Sequence, residues 1–294
     1  MFAARRKTEF KKESIRHATY RPFTRQLLYF DNVMTHRQGQ IPKFFPTSES
    51  ENENSVIWLK VGSDWPMFSL MTNHIPDLLP QGGSQCFPFY TYAEDGSNRT
   101  ENITDWALEK FRAEYSDDAI SKRDIFHYVY ALLHHPAYRE KYAENLKREL
   151  PRLPLVAGVE NFRKFAEIGA ALANLHLNYE TAPEYSARLV ENREVPFSWR
   201  VQKMKLSRDR STLVVNESLA IEGIPPQVFD YRLGNRSALE WIIDQYQTKT
   251  DSRSGLKSDP NREDDEEYIV RLAQRVMTVS LDTMKLIGAL PNMD

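Results

Sequence analysis

Hydrophobic positions in the first third of the chain follow the spacing of β-strands. Short runs of β-branched and aromatic side chains are separated by Pro, Gly and Asn, which is typical of strands joined by turns. The predicted strands cover residues 27–30, 56–61, 67–71 and 86–92. Between the first two lies a polar stretch, residues 35–55, whose composition predicts either a functional loop or a partly disordered segment.

Helical spacing replaces this pattern in the middle of the chain. Ser121 and Asp124 are placed to form a capping box, in which each side chain accepts a hydrogen bond from the other residue's backbone amide. Pro136 suits the first turn of a following helix that would run toward Leu150. Apolar residues from 162 to 175 share one face of another predicted helix farther along the chain.

The last third returns to strands before it ends in a helix. Residues 200–216 predict a hairpin with a charged turn at 207–211, and residues 228–234 predict another strand. Ser237 and Glu240 form a second capping box at the start of a short helix. The polar residues 248–262 indicate a flexible loop. The final predicted helix has apolar residues at alternating three- and four-residue spacing from Ile269 onward.

These patterns predict an α+β fold in which mixed β-sheet regions flank a central helical section, with a helix at the C-terminus. Residues 1–19 are interpreted as a basic N-terminal arm or a truncated linker, and residues 20–294 as one domain. The predicted parts of that domain are mainly β over 20–100, helical over 101–180, and a β-hairpin plus C-terminal helices over 181–294.

Composition limits the classes of protein that fit. The 294 residues are 41% hydrophobic, which is enough for a substantial core. No apolar run approaches the roughly 20 residues of a membrane helix, and the start lacks a secretion signal, so a cytoplasmic protein is expected. Cys86 is the single cysteine, which excludes an internal disulfide.

The formal net charge of −2 is ordinary, but the basic residues are unevenly distributed. The first 25 residues carry eight Lys or Arg against two Glu, which fits a phosphate-binding arm and a solvated tail equally well. Residues 188–210 carry seven basic residues against three acidic ones. Any nucleic-acid surface must therefore come from local clusters of charge.

The common catalytic motifs are absent from the sequence. A methyltransferase of the Rossmann type needs a glycine-rich turn, and an adenine amino-methylase carries Asn or Asp before Pro-Pro and an aromatic residue. The only Pro-Pro pair, Pro225-Pro226, lacks those neighbours. His134, His135 and His176 are best interpreted as structural residues at helix ends or in the core. No catalytic residue, cofactor or metal site is predicted.

Several strings resemble one known family. They are Tyr20-Arg-Pro-Phe-Thr-Arg25, Phe87-Pro-Phe-Tyr90, the Tyr130-Ala-Leu-Leu-His-His-Pro136 string within residues 124–142, Pro151-Arg-Leu-Pro154, and Gly223-Ile-Pro-Pro-Gln-Val-Phe229 onward. Together they resemble the C-terminal specificity region of Type ISP restriction-modification enzymes and related N6-adenine DNA methyltransferases. The resemblance runs from about residue 20 to residue 290.

That resemblance implies that the chain reads a DNA sequence while a methyltransferase domain or subunit outside it methylates adenine. The implied partners are double-stranded DNA and that methyltransferase, and self-association through an uncovered apolar face is a further expectation. The chain itself is then not an enzyme.

Basic and amide side chains in the loops are the candidate DNA contacts, because Arg pairs bidentately with guanine and Gln with adenine. The base-reading candidates are Arg37, Gln38, Gln40, Arg208 and Arg210. The phosphate-binding candidates are Arg188, Arg193, Arg200, Lys203, Lys205, Arg232 and Arg236.

A protein-interaction module is the alternative function. In that case the helices would dock on a methyltransferase or helicase subunit, and DNA affinity would be incidental. The heptad-like face of the final helix is the feature that favours such docking.

Overall fold

A computed structural model describes residues 9–35, 38–62, 65–79 and 83–293. The α-helices in these ranges are α1 (Ile41–Phe44), α2 (Ser48–Glu53), α3 (Asp105–Tyr115), α4 (Lys122–Leu132), α5 (Pro136–Lys141), α6 (Ala143–Leu146), α7 (Val159–Leu177), α8 (Ala238–Gln245) and α9 (Tyr268–Gly288). Short 3-10 helices span Lys12–Ser14, Tyr179–Thr181 and Pro226–Phe229. The strands are β1 (Ile15–Arg21), β2 (Thr24–Tyr29), β3 (Val56–Lys60), β4 (Phe68–Thr72), β5 (Ile75–Pro76), β6 (Gln85–Pro88), β7 (Tyr90–Thr91), β8 (Thr100–Glu101), β9 (Arg188–Glu191), β10 (Lys205–Leu206), β11 (Thr212–Val214), β12 (Leu219–Glu222), β13 (Arg232–Leu233), β14 (Arg236–Ser237), β15 (Lys249–Thr250) and β16 (Lys257–Ser258).

An antiparallel sheet of order β4-β3-β6 forms the middle layer of the molecule. Every residue of β3 and β4 is buried, so both faces of this sheet are covered. Side chains alternate between the faces. Trp58 and Leu70 therefore join one hydrophobic cluster, whereas Ile57 and Met71 join the other.

Helices α3, α4 and α7 cover one face of the middle sheet. The predicted capping box begins α4: Asp124 Oδ2 accepts from the Ser121 amide at 2.8 Å, and Ser121 Oγ accepts from the Asp124 amide at 3.2 Å. The predicted helix containing residues 162–175 is confirmed as α7. The helix that begins at Pro136 ends at Lys141, short of the predicted Leu150.

The other face is covered by helices α8 and α9 together with a sheet of order β10-β11-β12-β9. The second capping box begins α8 as predicted, with the Ser237 amide donating to Glu240 Oε2 at 2.7 Å. The apolar stripe of α9 is buried in this cluster, including Ile269, Leu272 and Val276. These layers confirm the predicted α+β class.

The N-terminal region is built into the first sheet, of order β2-β1-β5. Strand β1 begins at Ile15, inside the segment 1–19 that was interpreted as an arm or linker. Arg16 is buried and donates through Nε to Glu51 Oε1 at 2.6 Å. This ion pair fixes α2 against β1.

Three segments differ from the sequence prediction. The polar stretch 35–55 contains α1 and α2, because Thr47 caps α2 and Glu51 is held by the ion pair above. Residues 228–234 were predicted as a strand, but Pro226, which has no amide hydrogen, starts a 3-10 turn there and only the two-residue β13 follows. Residues 248–262 contain the hairpin β15–β16. No helix in the described ranges is both long and apolar enough to cross a membrane.

Candidate nucleic-acid interface

The turn between β10 and β11 is held in shape by its own polar side chains. Asp209 accepts hydrogen bonds from Ser207 Oγ at 2.6 Å, from Ser211 Oγ at 2.8 Å and from the Ser211 amide at 3.2 Å. The Ser207 hydroxyl bond, followed by those from Ser211, lowers the pKa of Asp209. The predicted hairpin with a charged tip is therefore confirmed, and its turn is an ordered one.

Arg210 lies at the base of this turn and is held by the neighbouring helix. Its backbone adopts the left-handed region, with φ of 63°. Its guanidinium carbon lies 3.8 Å from the centroid of the Phe229 ring, and Nη2 donates to Glu240 Oε1 at 2.6 Å. Arg232 approaches the same carboxylate, at 3.8 Å. Two of the predicted DNA contacts thus share one carboxylate at the start of α8.

Arg208 differs from Arg210 because it projects from the turn into solvent. Within the described part of the chain its guanidinium forms no ion pair and no hydrogen bond. Its full positive charge and its fork of donors are therefore available at the hairpin tip.

Three of the predicted phosphate contacts line one groove beside the same hairpin. Arg200, Lys203 and Lys205 line a depression of about 570 Å³, together with Asn216 and Glu217. Lys203 and Lys205 are exposed, and neither ammonium pairs with an acid among the residues that the structure describes. Arg200 forms an ion pair with Asp259.

The remaining phosphate candidates have different surroundings. Arg188 pairs with Glu222, its partner in the β9–β12 register. Arg236 lies 3.8 Å from Asp244 and its guanidinium carbon is 5.0 Å from the centroid of the Trp241 ring. Arg193 is exposed and has no acidic partner in the described ranges.

Gln38 and Gln40 lie in the segment between β2 and α1. Gln38 is half-buried and lines a largely apolar groove of about 810 Å³, whereas Gln40 is exposed and precedes α1. Arg37 lies outside the described residues. No hydrogen bond or ion pair of the described structure joins Gln38 or Gln40 to the 207–211 turn.

The histidines considered for chemistry are buried, as predicted for structural residues. His176 Nε2 shares a hydrogen bond with Thr283 Oγ1 at 2.9 Å, and its Nδ1 lies 2.5 Å from the Tyr130 hydroxyl. His134 donates through Nδ1 to the Tyr130 carbonyl oxygen at 2.8 Å. His135 Nε2 lies 3.1 Å from the Pro291 carbonyl oxygen. These contacts bind α4, α7 and α9 to one another.

Comparison with known proteins decides the family. Residues 1–272 match the family model described as the Type ISP C-terminal specificity domain. The chain belongs to this family. The resemblance inferred from the short strings is confirmed: the chain is a specificity domain of the Type ISP restriction-modification enzymes.

Solved structures of Type ISP enzymes share this fold. A nuclease-deletion mutant of LlaGI in complex with a DNA substrate mimic is 37% identical, with a TM-score of 0.85, over 99% of this chain and 26% of that one. LlaBIII bound to DNA is 34% identical, with a TM-score of 0.88, over 99% of this chain and 19% of that one.

A third solved structure, a DrdV–DNA complex, is 34% identical to this chain with a TM-score of 0.86. The match covers 98% of this chain and 29% of the DrdV chain. The specificity domain described here thus spans less than a third of the length of each of these three proteins. No curated protein sequence matches the chain.

Proposed function

We propose that the chain reads a sequence in double-stranded DNA as the specificity module of a Type ISP restriction-modification enzyme. Its family membership and the three similar structures, each solved with DNA, are the observations that carry this proposal. In the proposal, residues 20–294 act as the target-recognition domain, and an adenine methyltransferase outside this chain modifies the sequence that is read.

The charge distribution supports a surface for the DNA backbone beside the β10–β11 hairpin. Lys203 and Lys205 extend into one groove without acidic partners among the described residues, and Arg193 is similarly exposed. A cation without an intramolecular partner can neutralise a phosphate and release a counterion without first breaking an ion pair. These three residues are therefore the main phosphate-binding candidates.

Base reading is assigned first to Arg208, because it combines an ordered turn with a free guanidinium. A hairpin of this size fits the major groove, where Arg can bond to guanine O6 and N7. Arg210 is bound to Glu240 and Phe229, so its main role in the proposal is to hold the tip in place. The other base-reading candidates, in the polar stretch of residues 35–55, stay predicted contacts: Arg37, Gln38 and Gln40.

The alternative function, docking of the final helix on a partner protein, loses its supporting observation. The heptad-like face of α9 that favoured docking is buried inside the chain's own core, against α7 and α8. A helix face that already packs against the core cannot also bind a partner without unfolding this layer.

Substitutions at the hairpin should separate base reading from backbone binding. With a preferred sequence selected from randomised duplexes, Arg208→Ala should lose about 1 to 3 kcal/mol of discrimination at one base pair. Lys203→Ala should weaken binding to all duplexes alike, since a phosphate contact carries no sequence information. Fluorescence anisotropy with single-base variants of the duplex measures both effects.

Lys164→Ala is the matched control, because this α7 lysine is exposed and paired with Glu167 at 3.0 Å. It should leave affinity and discrimination unchanged. Equal and small losses for Arg208→Ala and Lys203→Ala on every duplex would contradict the assignment.

A further inference from the structure

A second ordered hairpin lies in the segment that the sequence predicts as a loop. Strands β15 and β16 pair Lys249 with Ser258 and Thr250 with Lys257. At the turn, Asp251 Oδ1 accepts from the Ser254 amide at 2.7 Å and from the Arg253 amide at 3.0 Å. Arg253 is exposed at this tip.

The second hairpin is attached to the residues that lead into the first. The Val201 amide donates to Asn261 Oδ1 at 2.7 Å, and Asn261 Nδ2 donates to the Val201 carbonyl at 2.7 Å. The Thr248 amide donates to the Gln202 carbonyl at 2.9 Å. Val201 is fully buried. Both hairpins are thus anchored to one buried point of the core, which fixes their separation.

A basic groove of about 440 Å³ lies where the two hairpins meet. Its lining is Arg200, Gln202, Lys203, Thr248 and Lys257. Arg200, Gln202 and Lys203 also line the groove of about 570 Å³ described above, so the two depressions adjoin and together make up one groove.

Two acids of the described structure lie at this groove, one by pairing with its lining cations and one by lining it. Asp259 pairs with Arg200 and lies 4.0 Å from the Lys257 ammonium. Glu217 lines the larger depression. The cations are Arg200, Lys203, Lys205 and Lys257, so positive charge predominates along the groove. A chain of phosphates has the repeating negative charge that complements such a row.

We propose that this groove holds the sugar-phosphate backbone of one DNA strand, and that the β15–β16 hairpin is a second DNA-contacting arm. In this proposal Lys257 binds a phosphate in the part of the groove that it lines with Lys203, and Arg253 extends the contact at the tip. This inference rests on the proposed function and adds residues that sequence reasoning missed.

Asp259 contacts two of the cations that line this groove. Its carboxylate holds Arg200 and Lys257 in place when no DNA is present, and it competes with phosphate for both cations. Its Oδ1 also accepts from the Asn261 amide at 3.1 Å and from Asn261 Nδ2 at 2.7 Å. Asparagine keeps an oxygen for these turn bonds but removes the negative charge.

Affinity for mixed-sequence duplex DNA, measured over a range of salt concentrations, tests the second arm. Lys257→Ala should weaken binding about fivefold and make the salt slope shallower by about 0.9, the loss of one phosphate contact. Asp259→Asn should strengthen binding about threefold because it removes the competing charge. A residue that merely supports the hairpin would give weaker binding or no change when replaced.

Lys249→Ala is the control, since this lysine lies on the same hairpin but its ammonium donates to the Asp244 carbonyl at 2.7 Å, away from the groove lining. It should leave the salt slope unchanged. Melting temperatures for all three variants check that each folds.

The outcomes separate this inference from the proposed function. If Lys203→Ala weakens binding while Lys257→Ala and Asp259→Asn match the unsubstituted chain, the second arm is wrong and DNA recognition stands. If the unsubstituted chain shows no salt-dependent duplex binding, both proposals are overturned.

Discussion

Replacing Gly169 by alanine is expected to lower the free energy of unfolding by about 3 kcal/mol. A Cβ atom at this position of α7 would lie 1.9 Å from the carbonyl oxygen of His127 in α4. The neighbour is backbone, so the clash can be relieved only by moving one helix away from the other. The gain of about 1 kcal/mol in helix propensity is smaller than this cost.

Gly288→Ala is the matched control for urea-induced unfolding. Gly288 is the last residue of α9, and an added Cβ there would meet no atom of the described residues within 4 Å beyond its chain neighbours and its own helix backbone. The control should be unchanged or stabilised by less than about 1 kcal/mol. Equal stability of the Gly169→Ala and Gly288→Ala chains would show that α4 and α7 are not in backbone contact.

Lowering the pH from 7 to 4.5 is expected to destabilise the fold through its buried histidines. Burial lowers the pKa of His176 to about 3 and the pKa of His134 well below its ordinary value. The partners of the two His176 ring nitrogens are the hydroxyls of Tyr130 and Thr283, and neither carries a negative charge that would stabilise a protonated ring. Buried His134 Nε2 has no partner in the described structure.

Proton linkage determines the direction in which the free energy of unfolding changes with pH. In the unfolded chain these histidines bind protons near pH 6.5, whereas in the folded chain they do so only at lower pH. Their contribution to the free energy of unfolding is therefore complete above pH 6.5 and is lost as the pH falls below that value. At pH 4.5 His176 alone accounts for about 3 kcal/mol, and His134 acts in the same direction.

Urea titrations at pH 7, 5.5 and 4.5 measure this loss. His134→Gln removes one of the two imidazoles and should make the pH dependence shallower, even if it lowers stability at pH 7. A free energy of unfolding that stays flat between pH 7 and 5 would mean that the imidazoles are protonated in the fold.

Local hydrogen-bonding signals were predictable from the sequence, because their partners are a few residues apart. The capping boxes at Ser121 and Ser237 depend on side chains three positions away, and both are present. Strands β3 and β4 follow from short runs that are rich in apolar side chains. The family could also be recognised, because short strings such as Tyr130 to Pro136 are not demanded by helix formation alone.

Elements whose position depends on residues far apart in the sequence could not be predicted from local patterns. Helix α2 lies in a polar stretch that looks like a loop, and its position depends on the buried pair of Glu51 with Arg16. The β15–β16 hairpin had a local signal in Asp251 and Gly255, whose φ is 70°, but the polar composition around them favoured a loop.

The candidate site also has features that the sequence predicts and features that depend on residues far apart in the sequence. Counting charges over residues 188–210 locates a basic region but cannot tell which cations are free, since their acidic partners lie elsewhere in the sequence. Arg210 meets Glu240, and Arg200 meets Asp259. Only the fold separates these paired residues from Lys203 and Arg208.

Duplex DNA affinity of the chain as a function of salt tests the central claim most directly. With about four phosphate contacts, the logarithm of the association constant should fall linearly with the logarithm of salt concentration, with a slope between about −3 and −4. One selected sequence should bind more tightly than mixed-sequence duplex at every salt concentration. Affinity that is independent of both salt and sequence would contradict a role in reading DNA.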